Sequence, residues 1–268
     1  MVEPKYPGVV ERYVNLGSCY APEALWPLRR EIMGCMAGYK GCYQRAYRCL
    51  GAAAEIMEDQ RSILLTDALA QKLAKRAHGI LAREVPRRRT ERPGLVKQRF
   101  LGAVTHRGPV CLYDTALAQC GKVYELTDSC SLAHDLLIHL LAGITANGYD
   151  LVACPDPMAP DRLAHLLVPQ LELAFLTASP LYSFPCKPYR RIRLDAAADG
   201  EILRRSRPRL RFAKKVSAAL VDEAVSSLAQ AKAMHDSLEA IYNPHVDFSL
   251  VDSTARAVWD EIQSFQVE

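Results

Sequence analysis

No stretch of this sequence is apolar for long enough to cross a bilayer. The longest, Leu136 to Ala146, falls short of the roughly 20 residues that a spanning helix needs and contains His139. Met1 to Tyr13 has no signal-peptide core, because Glu3, Pro4, Lys5 and Glu11 stand where apolar residues would be required. There is no Cys-x-x-Cys pair and no Cys/His group with zinc-finger spacing. Aromatic residues are sparse at 7%, and neither sign of charge dominates, since 34 Lys and Arg face 30 Asp and Glu. These absences argue against a membrane span, a secreted disulfide scaffold and a structural zinc site, and a cytoplasmic address is expected. With 268 residues, half of them hydrophobic, the chain can bury a sizeable core in one large domain or two smaller ones.

What is present is unevenly placed. The nine cysteines are an odd number and are expected to be free thiols. Cys35, Cys42 and Cys49 nearly share one helix stripe, but successive ones would stand about 10 Å apart along the axis, too far to bridge. Two basic clusters stand out: Arg87, Arg88, Arg89 and Arg92, and the run Arg204, Arg205, Arg207, Arg209, Arg211, Lys214 and Lys215. Runs of this kind can contact phosphate backbones. Here only Phe212 is interleaved, so a solvated linker or helix face is the plainer expectation.

Hydrophobic spacing divides the chain. Residues 22 to 84 read as helices, with Leu25, Leu28, Ile32 and Met36 on one stripe and Tyr39, Tyr43 and Tyr47 four apart. Pro86 to Gly94 is basic and without period, which predicts a linker. Beyond it, Phe100–Val104, Val123–Leu126, Leu151–Ala153 and Leu173–Thr177 read as strands, and Leu132–Asn147 reads as a helix stopped by Asn147-Gly148. Strand, helix, strand at this spacing predicts a parallel α/β sheet. From Arg204 the chain is helical again, first to Asn243-Pro244 and then along Val251, Ala255, Val258, Ile262 and Phe265. The expected segments are 1–94 and 201–268 as helical arms, with an α/β domain at 95–200.

The start of the chain also resembles its later part. Pro7, Arg12 and Leu16 recur 178 positions on as Pro185, Arg190 and Leu194, while Ala52, Ala54, Met57 and Asp59 recur 177 positions on as Ala229, Ala231, Met234 and Asp236. This offset predicts a long-period duplication whose first α/β unit would precede Met1.

Chemistry is expected in the loop after strand Lys122–Leu126, because open α/β sheets bind ligands beyond the carboxyl ends of their strands. A phosphate-binding loop there would need glycines and a lysine. The sequence instead offers Thr127, Asp128, Ser129, Cys130 and Ser131, with Ser131 placed to cap the next helix. His134 and His139 are five apart and make poor partners for one metal, and Cys154 has no base beside it. Asp114 and Asp161 read as caps or first-turn acids, and Asp156 follows the strand end at a ligand-facing turn.

Several segments taken in order carry a resemblance. They are Glu3–Val10, Val14–Gly17, Phe100–Gly108, Lys122–Leu126, Asn147–Pro155, Pro160–Leu163, Leu167–Phe175 and Met234–Tyr242. The chain resembles an uncharacterised bacterial family of tandem P-loop ATPase-like proteins. That resemblance implies a P-loop NTPase-like parallel sheet flanked by long helical arms, with ATP and Mg²⁺ as cofactors. It places the phosphate loop at Thr127–Ser131 and a magnesium carboxylate near Thr177, where this sequence has none. The expectation is a non-hydrolysing nucleotide-binding-like or scaffold half, partnered by an upstream P-loop half or by a second copy through the arms. The alternative is a basic module that binds nucleic acid through Arg204–Lys215 or binds a protein partner.

Overall fold

The computed structural model describes Tyr6, Gly8, Val9 and residues 11–88 and 92–265. Most of the Glu3–Val10 stretch, and Arg89 in the basic cluster, lie outside the described residues. In chain order the elements are α1 (Pro22–Leu25), α2 (Arg29–Leu64), α3 (Asp67–Glu84), β1 (Val96–Gln98), β2 (Gly102–Thr105), β3 (Gly108–Cys111), α4 (Tyr113–Leu117), β4 (Lys122–Thr127), α5 (Ala133–Ala146), β5 (Leu151–Pro155), β6 (Leu163–Val168), β7 (Leu173–Ala178), β8 (Arg190–Arg193), α6 (Gly200–Tyr242) and α7 (Phe248–Ser264). The chain is mixed α/β and 60% helical. No described helix is long and apolar enough to cross a membrane.

Two compact units form: residues 43–229, and residues 1–42 together with 230–268. They cut across the segments 1–94, 95–200 and 201–268, because α2 and α6 each run through a unit boundary.

In the larger unit a six-stranded sheet has the order β1-β5-β6-β7-β4-β8. Five strands run the same way, as expected for a parallel sheet. β6 departs from that expectation, pairing antiparallel with both β5 and β7. A short turn carries the chain from β5 straight back into β6, with no helical crossover, and a reversal of that kind forces antiparallel pairing. The Phe100–Val104 stretch also differs from expectation. Its β2 portion leaves the sheet and forms a separate ribbon with β3, turned by Gly108 at φ +106°.

Burial explains the central strands. All six residues of β7 are buried, and four of the six in β4 are buried as well. A strand covered on both faces reads as a continuous apolar run rather than an alternation. On one face, Leu136, Leu137, Leu140 and Ile144 of α5 pack with Tyr124, Leu126 and Phe175, and Leu69, Leu73, Ala77 and Ile80 of α3 join them. Thr66 separates α2 from α3 and caps the latter, its hydroxyl accepting from Leu69 N–H at 3.2 Å. On the other face, Tyr113, Ala116 and Cys120 cover Val123, Ala174 and Leu176. Asn147 and Gly148 end α5 as expected, with Gly148 at φ +82°.

In the smaller unit the Ala21 N–H donates to His245 O at 2.9 Å and the Asp247 N–H donates to Cys19 O at 2.8 Å. Tyr20 meets Tyr242 edge to face. Gly38 faces Met234, whose sulfur would stand 2.8 Å from an added Cβ. Asp247 caps α7, which buries none of its residues.

The two stretches related by the 177–178 offset fare differently. Ala52–Asp59 and Ala229–Asp236 both lie in long helices, whereas Arg190–Arg193 is a strand and residues 12–15 are not.

Candidate functional site

The loop from Thr127 to Ser131 lies where the sequence places it, between the carboxyl end of β4 and α5. β4 has β7 on one side and β8 on the other. The chain leaves β4 towards β5 in one direction and closes the opposite side with β8. That is the topological switch at which open α/β sheets gather their ligands.

The backbone N–H groups of Asp128, Ser129 and Cys130 are already taken. Asp128, 4% exposed, turns inward. Its Oδ2 accepts from Ala133 N–H at 2.7 Å and its Oδ1 accepts from Cys130 N–H at 3.0 Å. The free amino end of α5 is therefore satisfied by a carboxylate from the loop itself. Burial pushes the Asp128 carboxyl up to about 6, against the opposing pull of the backbone N–H groups, with Asp195 adding like charge. Asp195 accepts both from Ser129 N–H at 3.1 Å and from its hydroxyl at 2.8 Å. Gln60 donates to Ser129 O, and Arg162 donates to Ser131 O at 2.7 Å.

Ser131 does not cap α5, contrary to expectation. It stands at φ +60°, the cap position falls on Leu132, and Asp128 serves in its place. Cys130 is buried, and burial raises its thiol to about 12. The loop has neither the glycines nor the lysine of a phosphate cradle, and Thr177, at the expected magnesium position, is a buried threonine whose hydroxyl donates to Ala164 O. These residues do not fit ATP and Mg²⁺.

Beside the loop, at the same end of the sheet, a cavity of about 310 Å³ opens. Met57, Met158, Leu163, Leu181 and Val221 give it apolar walls, and Asp156, His134 and Lys214 are among its polar groups. His134 accepts from Leu163 N–H through Nδ1 at 2.9 Å, which puts its ring proton on Nε2. Burial first, and the Arg162 charge second, lower its pKa and keep it neutral. His165 is buried outright. Its Nδ1 accepts from Thr177 N–H at 3.0 Å, and burial drops its pKa to about 4. Arg162 is tied to Glu58 at 3.1 Å, and Arg61 to Asp135 at 3.1 Å.

Sequence reasoning missed His165 and Tyr182, since neither carries a motif. The Tyr182 hydroxyl is buried and has no hydrogen-bond partner among the described residues. Tyr182→Phe is therefore expected to raise unfolding free energy by about 1 kcal/mol, because it removes an unpaid desolvation. Urea unfolding measures this, and a loss of stability would reveal a hidden partner.

The other expected residues separate. Cys154, in β5, is 1% exposed in the cluster with Tyr113 and Ala116, where burial pushes its thiol up to about 12, so it faces no ligand. Asp156 does line the cavity, its carboxylate accepting from Met158 N–H at 2.8 Å. His139 lies away from His134, its ring against His78. None of the nine cysteines forms a disulfide.

No family model matches this chain. Neither a curated protein nor a solved structure matches it either.

Proposed function

We propose that the 43–229 unit is a non-hydrolysing binding module of P-loop-like descent, in which side chains have replaced the phosphate. The observation that carries this reading is Asp128. Its two oxygens occupy the Cys130 N–H in the loop and the Ala133 N–H at the start of α5, which a bound phosphate would otherwise use. The strand–loop–helix order at the sheet's switch point supports the descent, and the missing glycines and lysine agree with it.

What remains open at this end of the sheet is the apolar cavity. It suits a small, largely apolar molecule oriented by a few polar contacts. His134 and His165 are both held neutral, so these two side chains offer the cavity hydrogen bonds and no charge. Binding rather than turnover is the function this geometry supports.

Calorimetric titration with ATP and Mg²⁺ tests the reading. No saturable heat is expected from micromolar to millimolar nucleotide, and no thermal shift. Saturable binding that Ser129→Ala weakens would show that the loop opens for phosphate, and would overturn the proposal.

A further inference from the structure

The amino-terminal part of α6 carries a one-sided row of cations. Arg204, Arg207, Arg211 and Lys215 follow one another at spacings of three, four and four and so share one helix face, with Lys214 at its edge toward the cavity. All five are exposed. The adjoining side is used by the core: Ile202, Leu203 and Leu210 pack against the main cluster, and Ala213 is buried.

Among the described residues no acid pairs with the row. No Asp or Glu occurs between Glu201 and Asp222. Arg209, on another face, pairs with Asp59 at 2.6 Å. The five row cations have no side-chain partner among the described residues, whereas the interior cations Arg61 and Arg162 are each doubly paired. Like charges at these spacings work against the helix. A merely solvated face has no need of five of them without an acid.

We infer that this face of α6 binds single-stranded nucleic acid through its phosphate backbone. The row extends over roughly 16 Å, at about 1.5 Å per residue, with neighbouring side chains about 5–6 Å apart at Cβ. It presents a rigid ladder of cations to a polyanion. Phe212, 65% exposed, is three residues from Lys215 and so borders the row at that end, where it offers a bare ring on which a base can stack. A lipid surface fits less well, because the apolar side of this helix is already spent in the core and cannot insert. The inference is independent of the reading of the β4–α5 loop.

The full chain should be titrated into a fluorescein-labelled 20-nucleotide oligo(dT), followed by anisotropy at rising salt. Saturable binding at low salt is expected, with affinity falling along a log–log slope of about −3, at about 0.7 per phosphate neutralised. The triple variant Arg204→Gln, Arg207→Gln, Arg211→Gln should weaken binding at least tenfold and flatten the slope, with its urea midpoint no lower than that of the parent chain. Phe212→Ala should cost about tenfold on oligo(dT) and leave binding to a duplex of equal length unaltered.

Three results would overturn the inference. One is no saturable binding at low salt. Another is equal binding by the triple variant, with the loss seen instead on Arg190→Gln, Arg193→Gln, which alters the second basic groove formed by α3 and β8. The third is preferential, α6-dependent binding to phosphatidylserine vesicles over oligo(dT).

Discussion

Asp128→Ala is expected to lower unfolding free energy at pH 5 by about 3 kcal/mol, the combined effect of a lost helix cap and two stranded N–H donors. The donors are Ala133 N–H and Cys130 N–H. A loss below about 1 kcal/mol in urea unfolding would mean that water reaches the loop and takes the place of the carboxylate. The same residue makes stability depend on pH. Its carboxyl titrates at about 6 in the fold and at about 3.9 in an unfolded chain. The folded state therefore holds this proton more tightly. The contribution is fully present below about pH 4 and is lost as pH rises through about 6, an expected fall of roughly 3 kcal/mol. Asp128→Asn should flatten that slope, and an unchanged slope would assign it to other groups.

Gly94→Ala is the second large effect. A Cβ at Gly94 would stand 1.8 Å from Tyr149 O and 2.3 Å from its carbonyl carbon. Both atoms are backbone and are fixed on either side. Gly94 N–H donates to Thr145 O at 2.9 Å, and Leu95 N–H donates to the Asp150 side chain at 2.7 Å. Neither chain can yield without breaking one of these bonds or the start of the β1–β5 pairing. A loss of about 3 kcal/mol or more is expected, read as a lowered urea midpoint with unchanged slope. A shift of a few tenths of a kcal/mol would show that this junction is slack.

That junction illustrates what a sequence can and cannot say. Gly94 sits in a stretch whose Pro and Arg content marks a linker, and composition has no means of registering that its backbone is pressed against another turn. α5 was legible because an apolar run closed by Asn147-Gly148 admits few other readings. β6 was not, since Leu163–Val168 is apolar along nearly its whole length and its direction depends on a turn that carries no strong signal. β8 reads Arg-Arg-Ile-Arg, and a strand rich in charge is visible only once its neighbour β4 is in place. At the site, the position of the loop followed from the order of elements. The inward turn of Asp128 did not, because it rests on N–H groups whose directions are tertiary facts. The basic run at Arg204–Lys215 was plain in the sequence. Only the burial of Leu203, Leu210 and Ala213 shows which of its cations share a face and stand without acids.

The placement of β4 carries a consequence for how the chain acquires its structure. Lys122 pairs with Leu173, and Tyr124 with Arg190, so both edges of this strand wait for partners synthesised about 50 and 65 residues later, and non-local pairing of this kind slows folding. When β4 emerges during synthesis, α3 is already complete, while its strand neighbours do not yet exist. The middle of the sheet is thus closed late, by segments that arrive from outside it. Until then an apolar strand with two bare edges is open to wrong partners, which makes the interval before β7 is made the time at which this protein is most exposed to aggregation.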